Sequence, residues 1–531
     1  GTITINGGDV TAHGGIDNFE HQSLDMLSGN GIGPYWTGTV TINGGHVKAF
    51  ADGESCGIGG HRGEVTVTIT GGTVEAVAAN QFAAIGGEGS VTITGGVINA
   101  AGKNNAAGIG SNGDIRITGG EITVSAEGLG AAIGGYAGVD CGSITIQGNV
   151  IKSVISSGAG ACIGGASNRS AGSIAISNAK LPPLSGTSLI GWIRGNTAGS
   201  LTIQNCYIES TDTAAGSGIQ VSDNGNIRIE NSEVKLPEKR DIRAGDGGSI
   251  VIHDSTIHSN GIYMLGDKNE AKTLKRLEIT GSTVVTAGNV IGAMGSRASV
   301  DEIVIHGSSL SPAEGADHYY AIGGGEYASF GSIDIQGSQI NIPLASKGAA
   351  IGGGNYATYS GESTIRIANS QVTAATGARL SAAIGTGNAS QGTGSLKIFI
   401  ESSDVTAKGG PLRQNTDYVP GIGKYDRITL QVHIQVMDST VESFRHTKRD
   451  SDELVYDDLH TKEMPGIPKE NISICGSTVN KTRIDHSFDE YGKCALCGKY
   501  DIGYCYEHGL LTMEGLTDCV SDGSEKKLTG L

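Results

Sequence analysis

One line of residues recurs along this chain: an S-I-x-I strand, a Gly-Gly or Asn-Ser turn, a V-x-A strand, a variable loop, then A-A-I-G-G. Val65-Thr-Val-Thr-Ile-Thr-Gly-Gly-Thr-Val-Glu-Ala followed by Ala83-Ala-Ile-Gly-Gly87 is one instance. Ser332-Ile-Asp-Ile-Gln-Gly-Ser-Gln-Ile followed by Ala349-Ala-Ile-Gly-Gly-Gly354 is another. Roughly sixteen copies of about 23 to 35 residues run from Thr2 to about Lys481, and a period of that size marks a stacked architecture. Each copy holds short period-2 apolar segments separated by Gly, Asn and Ser, and no stretch forms a convincing amphipathic helix. Three short strands cannot bury their own apolar face, but stacked units can.

Stacking predicts which residues meet. Val67, Ile69, Val74 and Ile85 of one copy should lie over Val91, Ile93, Ile98 and Ile109 of the next, about 4.8 Å apart. The Gly after each column isoleucine supplies positive φ at a corner, and the small Ala before it keeps the bend thin. The fold expected is all-β: a right-handed parallel β-helix of roughly sixteen coils over residues 1–482, then a small Cys/His-rich module over 483–531. A propeller would need four strands in about 40 residues and a leucine-rich repeat an L-x-x-L-x-L frame, and neither appears. The G-G-x-G-x-D calcium frame is also missing.

Composition agrees with this reading. The chain has 531 residues with 87 Gly, but its Gly has no Gly-X-Y period and only 10 Pro accompany it, which excludes collagen. Aromatic residues are few, so the core must come from Ile, Val, Leu and Ala. A net charge of -17 with no basic stripe argues against nucleic acid and anionic membranes as partners. No apolar run approaches the roughly 20 residues of a membrane span. The chain opens on Gly1-Thr-Ile-Thr-Ile, already inside a strand pattern, and is read as a mature or excised segment.

Repeats such as Thr94-Gly-Gly and Ala349-Ala-Ile-Gly-Gly-Gly resemble the β-helical regions of secreted and surface proteins of Gram-positive, often gut-dwelling, bacteria. More broadly they resemble the pectin-lyase-like β-helix superfamily. The resemblance rests on repeat grammar over most of the chain, so it implies fold more strongly than chemistry. Many members of that superfamily act on polysaccharides as hydrolases or lyases, and others are adhesins. It implies a secreted or cell-surface bacterial protein.

Function is sought where the grammar breaks. A-A-I-G-G is rewritten as Leu189-Ile-Gly-Trp-Ile-Arg194, Gly218-Ile-Gln-Val-Ser-Asp223, Asp241-Ile-Arg-Ala-Gly-Asp246, Gly261-Ile-Tyr-Met-Leu-Gly-Asp267 and Val290-Ile-Gly-Ala-Met-Gly295. Aligned on Ile190, Ile219, Ile242, Ile262 and Ile291, the residues Arg194, Asp223 and Asp246 fall four places on, and Asp267 five. The register stacks three carboxylates on one edge, beside Gln220, Arg243 and Tyr263, with Trp192 able to stack on a sugar. Like charges repel, so such a stack should split the pKa values into an acid and a base. Adjacent and alternate coils, about 4.8 and 9.6 Å apart, leave both retaining and inverting geometry open. The plain alternative is turn chemistry, since Asp before Gly or Asn caps its own backbone.

Weaker candidates are His253 with His258, and a loop of Glu314, Asp317, His318, Tyr319 and Tyr320 bordering the same groove. Glu20, His21 and Asp25, and the acidic insertion beginning at Asp450, read as solvated loops or caps.

Cys56, Cys141, Cys162, Cys206 and Cys475 are scattered through the coils, and Cys162 stands where other copies have Ala. Cys494-Ala-Leu-Cys497 followed by Cys505-Tyr-Glu-His508 has zinc spacing, with His486 an alternative fourth ligand. The alternatives are a disulfide from Cys494 or Cys497 to Cys505 or Cys519, and free thiols. The stretch from His486 through Cys497-Gly resembles a short tail module of clostridial surface proteins, which implies nothing about catalysis.

The leading expectation is a secreted glycoside hydrolase with Asp223, Asp246 and Asp267 as its acids. Trp192, Arg194, Gln220, Arg243, Tyr263 and His318 would line its substrate site. No catalytic cofactor is expected, and a structural zinc would sit in the tail. A non-catalytic adhesin or carbohydrate-binding solenoid is the alternative. A polysaccharide lyase, using Arg194 or Arg243, is third.

Overall fold

A computed structural model describes residues 1–15, 29–191, 199–214, 216–316, 321–449, 451–489, 493–499, 504–505 and 509–510. The chain divides into two compact units, Gly1–Phe330 and Gly331–Leu531. Both are built of short strands paired in parallel, and no α-helix occurs among the described residues. No helix there is long and apolar enough to cross a membrane.

In the first unit the expected columns form. Ile58, Ile85, Ile109, Ile133 and Ile163 pair in sequence, each fully buried. The column continues through Ile190, Ile219, Ile242, Ile262, Ile291 and Ile322, so the rewritten coils keep the register of the intact ones. Val67 pairs with Val91, Ile69 with Ile93, and Val74 with Ile98. Alternation along each strand sends these side chains inward and Thr, Glu and Lys outward. In the second unit Ile351, Ile384 and Ile422 form one column. Ile333, Ile365, Ile398, Ile434 and Ile472 form another.

The corner glycine is required by its neighbours. Gly134 has φ 144°, and a Cβ there would lie 1.7 Å from the carbonyl oxygen of Gly164 in the next coil. Where the turn reads Asn-Ser, the Asn takes positive φ, as at Asn231 and Asn369. The Ser that follows builds a ladder. Ser232, Ser255 and Ser282 each donate their backbone N–H to the Oγ of the serine one coil on, all at 3.1 Å. Ser338, Ser370, Ser403 and Ser439 repeat this in the second unit. The parallel β-helix is thus held by aliphatic columns inside and hydroxyl ladders at its turns.

Candidate functional site

On the rewritten edge, Asp223 and Asp246 come together one coil apart. Oδ1 of Asp223 accepts the backbone N–H of Asp246 at 2.9 Å, and Oδ1 of Asp246 accepts that of Thr273 at 2.7 Å. Asp267 accepts from Asn269 within its own turn at 2.8 Å. Lys272 Nζ lies 3.8 Å from Asp223. The first two carboxylates therefore satisfy amides of the following coil. A stack of acids has a structural reason that the repulsion argument overlooked. Trp192, Arg194 and His318, with Asp317, Tyr319, Tyr320, Glu20, His21, Asp25 and Asp450, lie outside the described residues.

Gln220, Arg243 and Tyr263 occupy successive rungs of the column that elsewhere holds the corner glycine. None has positive φ, so the corner is rebuilt in ordinary backbone geometry. Their polar ends turn to one another's neighbours. Ser217 Oγ donates to Gln220 Oε1 at 2.6 Å and accepts from Arg243 at 2.8 Å, while Tyr263 OH donates to Asp241 Oδ2 at 2.8 Å. Tyr263 and Asp241 are both buried. Burial pushes the Asp241 carboxyl above its ordinary range, against the opposing donors Tyr263 and Arg243. Beside it Arg240 is wholly buried, paired with Asp212 at 3.1 Å and donating to the carbonyls of Gly186, Thr187, Asp212 and Ser217. Sequence reasoning passed over Arg240 and Asp241. Their signal is that Arg-Asp fills the two slots before the column isoleucine where intact coils carry Ala-Ala. His253 pairs with Asp254 at 3.0 Å at the end of another strand.

A second convergence lies near the chain's end. Cys475, His486, Cys494 and Cys497 bring their ligand atoms within 4.8 Å of one another, a set that could hold a metal ion. Cys475 ends the strand Ile472–Cys475, in the last coil. His486 follows the antiparallel hairpin of Ser477–Val479 and Thr482–Ile484. Cys494 and Cys497 sit on a tight turn closed by Gly498 N–H donating to the Cys494 carbonyl at 2.8 Å, with Gly498 at φ 73°. His486 Nδ1 faces Cys497 Sγ at 3.4 Å, and Nε2 lies 2.9 Å from Asp438 Oδ1, which Lys499 also contacts. Burial raises the Cys494 thiol, but backbone N–H groups of Cys497 and Leu496 and the His486 ring outweigh it and set it at about 6. Burial near the other two sulfurs pushes Cys475 up.

This differs from the spacing-based ligand set. Cys494 and Cys497 are in the cluster, His486 takes the place left to it as an alternative, and Cys475 joins from the solenoid instead of lying scattered. Cys505 falls in the short strand Tyr504–Cys505, of whose side chains nothing is described, and His508 and Cys519 lie outside the described residues. Cys56, Cys141, Cys162, Cys206, Cys475, Cys494 and Cys497 are free thiols. Cys162, in its Ala slot, is buried, which pushes its thiol up to about 12.

A third feature was not legible beforehand. Five rings run along one side of the early coils: Trp36, Tyr35, His61, Phe82 and Tyr136, with successive centroids 5.1, 5.9, 5.5 and 5.3 Å apart. Trp36 is 64% exposed while Tyr136 is buried, and the Arg62 guanidinium lies over Tyr35. Burial, then the Arg62 charge, lowers the His61 pKa.

These sites sit on a parallel β-helix repeat protein. A family model described as Beta helix repeat matches residues 3–33, 40–63, 67–90 and 91–114, a repeat shared by pectin lyases, glycosidases and adhesins. Neither the curated proteins nor the solved structures contain a match.

Proposed function

We propose that this protein is a non-catalytic, glycan-binding β-helix of the bacterial cell surface or its surroundings, closed at its C-terminal end by a structural zinc. The observation that carries the binding reading is the aromatic run ending in Trp36. An exposed indole held edge-on by Tyr35 is a rigid platform for the apolar face of a sugar, and the neighbouring Arg62 and His61 supply polar groups at its margin. The acids of the rewritten edge are occupied by backbone amides, which suits a scaffold better than a proton shuttle. Zinc is supported by a three-sulfur, one-nitrogen donor set, the chemistry of closed structural sites.

A glycoside hydrolase is the second reading, favoured by the adjacency of Asp223 and Asp246. One experiment separates the two: a glycan panel probed for both binding and released product. Binding without cleavage, reduced about tenfold or more by Trp36→Ala, is expected. Cleavage that falls by about 10² to 10⁴ in Asp223→Asn or Asp246→Asn would install the hydrolase instead. Product bearing an unsaturated sugar would point to the lyase, with Arg243 or Arg194 as base.

A further inference from the structure

We infer that Cys475, His486, Cys494 and Cys497 bind one zinc ion, and that this ion locks the cap over the edge of the last coil. The inference rests on the zinc reading of the tail and adds what the metal holds in place.

The donor set comes first. In a tetrahedral site with Zn–S of about 2.3 Å, ligand sulfurs lie about 3.8 Å apart, so a cluster already within 4.8 Å closes by side-chain rotation alone. Three sulfurs and one imidazole nitrogen are a donor set that zinc takes in closed sites, and binding would release the thiol protons. The histidine is oriented for the task, with one ring nitrogen toward the cysteines and the other on Asp438. A carboxylate commonly fixes a metal-bound imidazole in this way. Lys499 in turn anchors Asp438. The neighbouring backbone leaves room for this contact. Gly476 has φ 60°, and a Cβ there would lie 2.2 Å from His486 Nε2 and 2.4 Å from Asp438 Oδ1.

The consequence for the solenoid follows from where the ligands sit. The strand Ser477–Val479 pairs with Thr440 and Val441 of the coil before it. On its other side it pairs antiparallel with Thr482–Ile484, after a turn at Asn480 and Lys481, both with positive φ. That reversed strand covers an edge that would otherwise present unpaired N–H and C=O groups to another chain. Yet it is only three residues long, with Thr482 and Arg483 exposed and Ile484 half-buried. Burial of apolar surface cannot hold it there. His486 stands two residues beyond it, and Cys475 two residues before the strand it covers. A metal joining those two ligands pins the hairpin at its open end, and Cys494 and Cys497 tie the following turn to the same point. Asp438 belongs to the preceding coil, so the ion couples cap, last coil and next-to-last coil.

The test uses the full chain, loaded with zinc and dialysed, then analysed for zinc content and for hydrogen exchange of the amides from Ser477 to Ile484. One zinc per chain is expected, with slow exchange across the hairpin. Chelation should speed that exchange at least tenfold and promote self-association through the uncovered edge. Cys475→Ser should lose zinc and reproduce the chelated exchange pattern, whereas Cys505→Ser should keep both zinc and slow exchange. Asp438→Asn, which leaves every ligand in place, should weaken zinc about tenfold to a hundredfold and restore slow exchange at saturating zinc. Cobalt(II) in place of zinc should show thiolate charge-transfer absorption that weakens in Cys475→Ser. A wild-type chain that takes up no zinc overturns the zinc reading itself. Zinc retained in Cys475→Ser, or hairpin exchange indifferent to chelation, overturns the lock while leaving a zinc tail standing.

Discussion

The coils from Leu189 to Gly295 and the chain's end from Asp438 to Lys499 both gather polar side chains, but they direct them differently. In the coils, the polar side chains of the described rewritten segments turn back into the scaffold. Asp223 and Asp246 accept amides of the next coil, Arg240 is surrounded by carbonyls, and Arg243, Ser217, Asp241 and Tyr263 engage one another. At the chain's end the side chains converge on a shared point: three sulfurs and an imidazole nitrogen, with an aspartate orienting the ring from behind. Alignment of acids in a solenoid is therefore a weak sign of chemistry, because the register that stacks them also brings amides to satisfy them. Convergence of several soft donor atoms on one point is a stronger one.

The comparison can be broken first at Arg240. If the rewritten coils are scaffold, Arg240→Ala strands four carbonyls and the Asp212 carboxylate, and should cost about 3 to 5 kcal/mol in a denaturant melt. A cost near zero would show that the network contributes nothing to the stack. Next in size is Gly476→Ala, whose Cβ would drive His486 from Asp438. Zinc affinity measured by chelator competition should fall about tenfold to a hundredfold, with the rest of the fold intact. Unchanged affinity would remove the orienting role of Asp438.

Smaller still is Asp246→Ala, which deletes one acceptor for a coil-to-coil amide and should cost about 1 kcal/mol with glycan binding unaltered. Loss of a glycan-dependent activity without loss of stability would move Asp246 from scaffold to site. The smallest effect concerns Asp241. Burial raises its folded pKa, so the folded chain binds its proton more tightly than the unfolded chain does. Its contribution is fully present below the unfolded value of about 3.9 and is lost as pH rises through the folded value. The stability of the wild type relative to Asp241→Asn should therefore decline as pH is raised from about 3 toward neutrality. A difference that grows with pH would mean that Tyr263 and Arg243 outweigh burial.

The solenoid was legible in the sequence because Ala-Ala-Ile-Gly-Gly repeats a steric demand. A column isoleucine, two small residues before it and a positive-φ glycine after it cannot be exchanged freely, so Ile85, Ile109, Ile133 and Ile163 could be placed in one column. The rewritten register at Ile219, Ile242 and Ile262 was legible because the isoleucine recurs at the repeat's spacing even where Gln220, Arg243 and Tyr263 replace the glycine. The partners of the acids were not. The hydrogen bond that Asp246 accepts from the Thr273 amide depends on how the intervening loop closes, and short-range residue patterns do not encode that. The metal cluster divides along the same line. Cys494 and Cys497 share one turn and announce themselves by spacing, whereas Cys475 reaches them only because the last coil ends beside that turn. Trp36 lacked a signal because its neighbours in the aromatic run come one from each of several coils.

The most direct measurement of the difference between the two regions is zinc-edge X-ray absorption on the wild type and on Cys475→Ser. The account predicts three sulfur neighbours at about 2.3 Å and one nitrogen at about 2.0 to 2.1 Å in the wild type, with a sulfur or the zinc itself lost in the variant. An unchanged three-sulfur shell in Cys475→Ser would contradict it, since the ion would then be held by the tail alone.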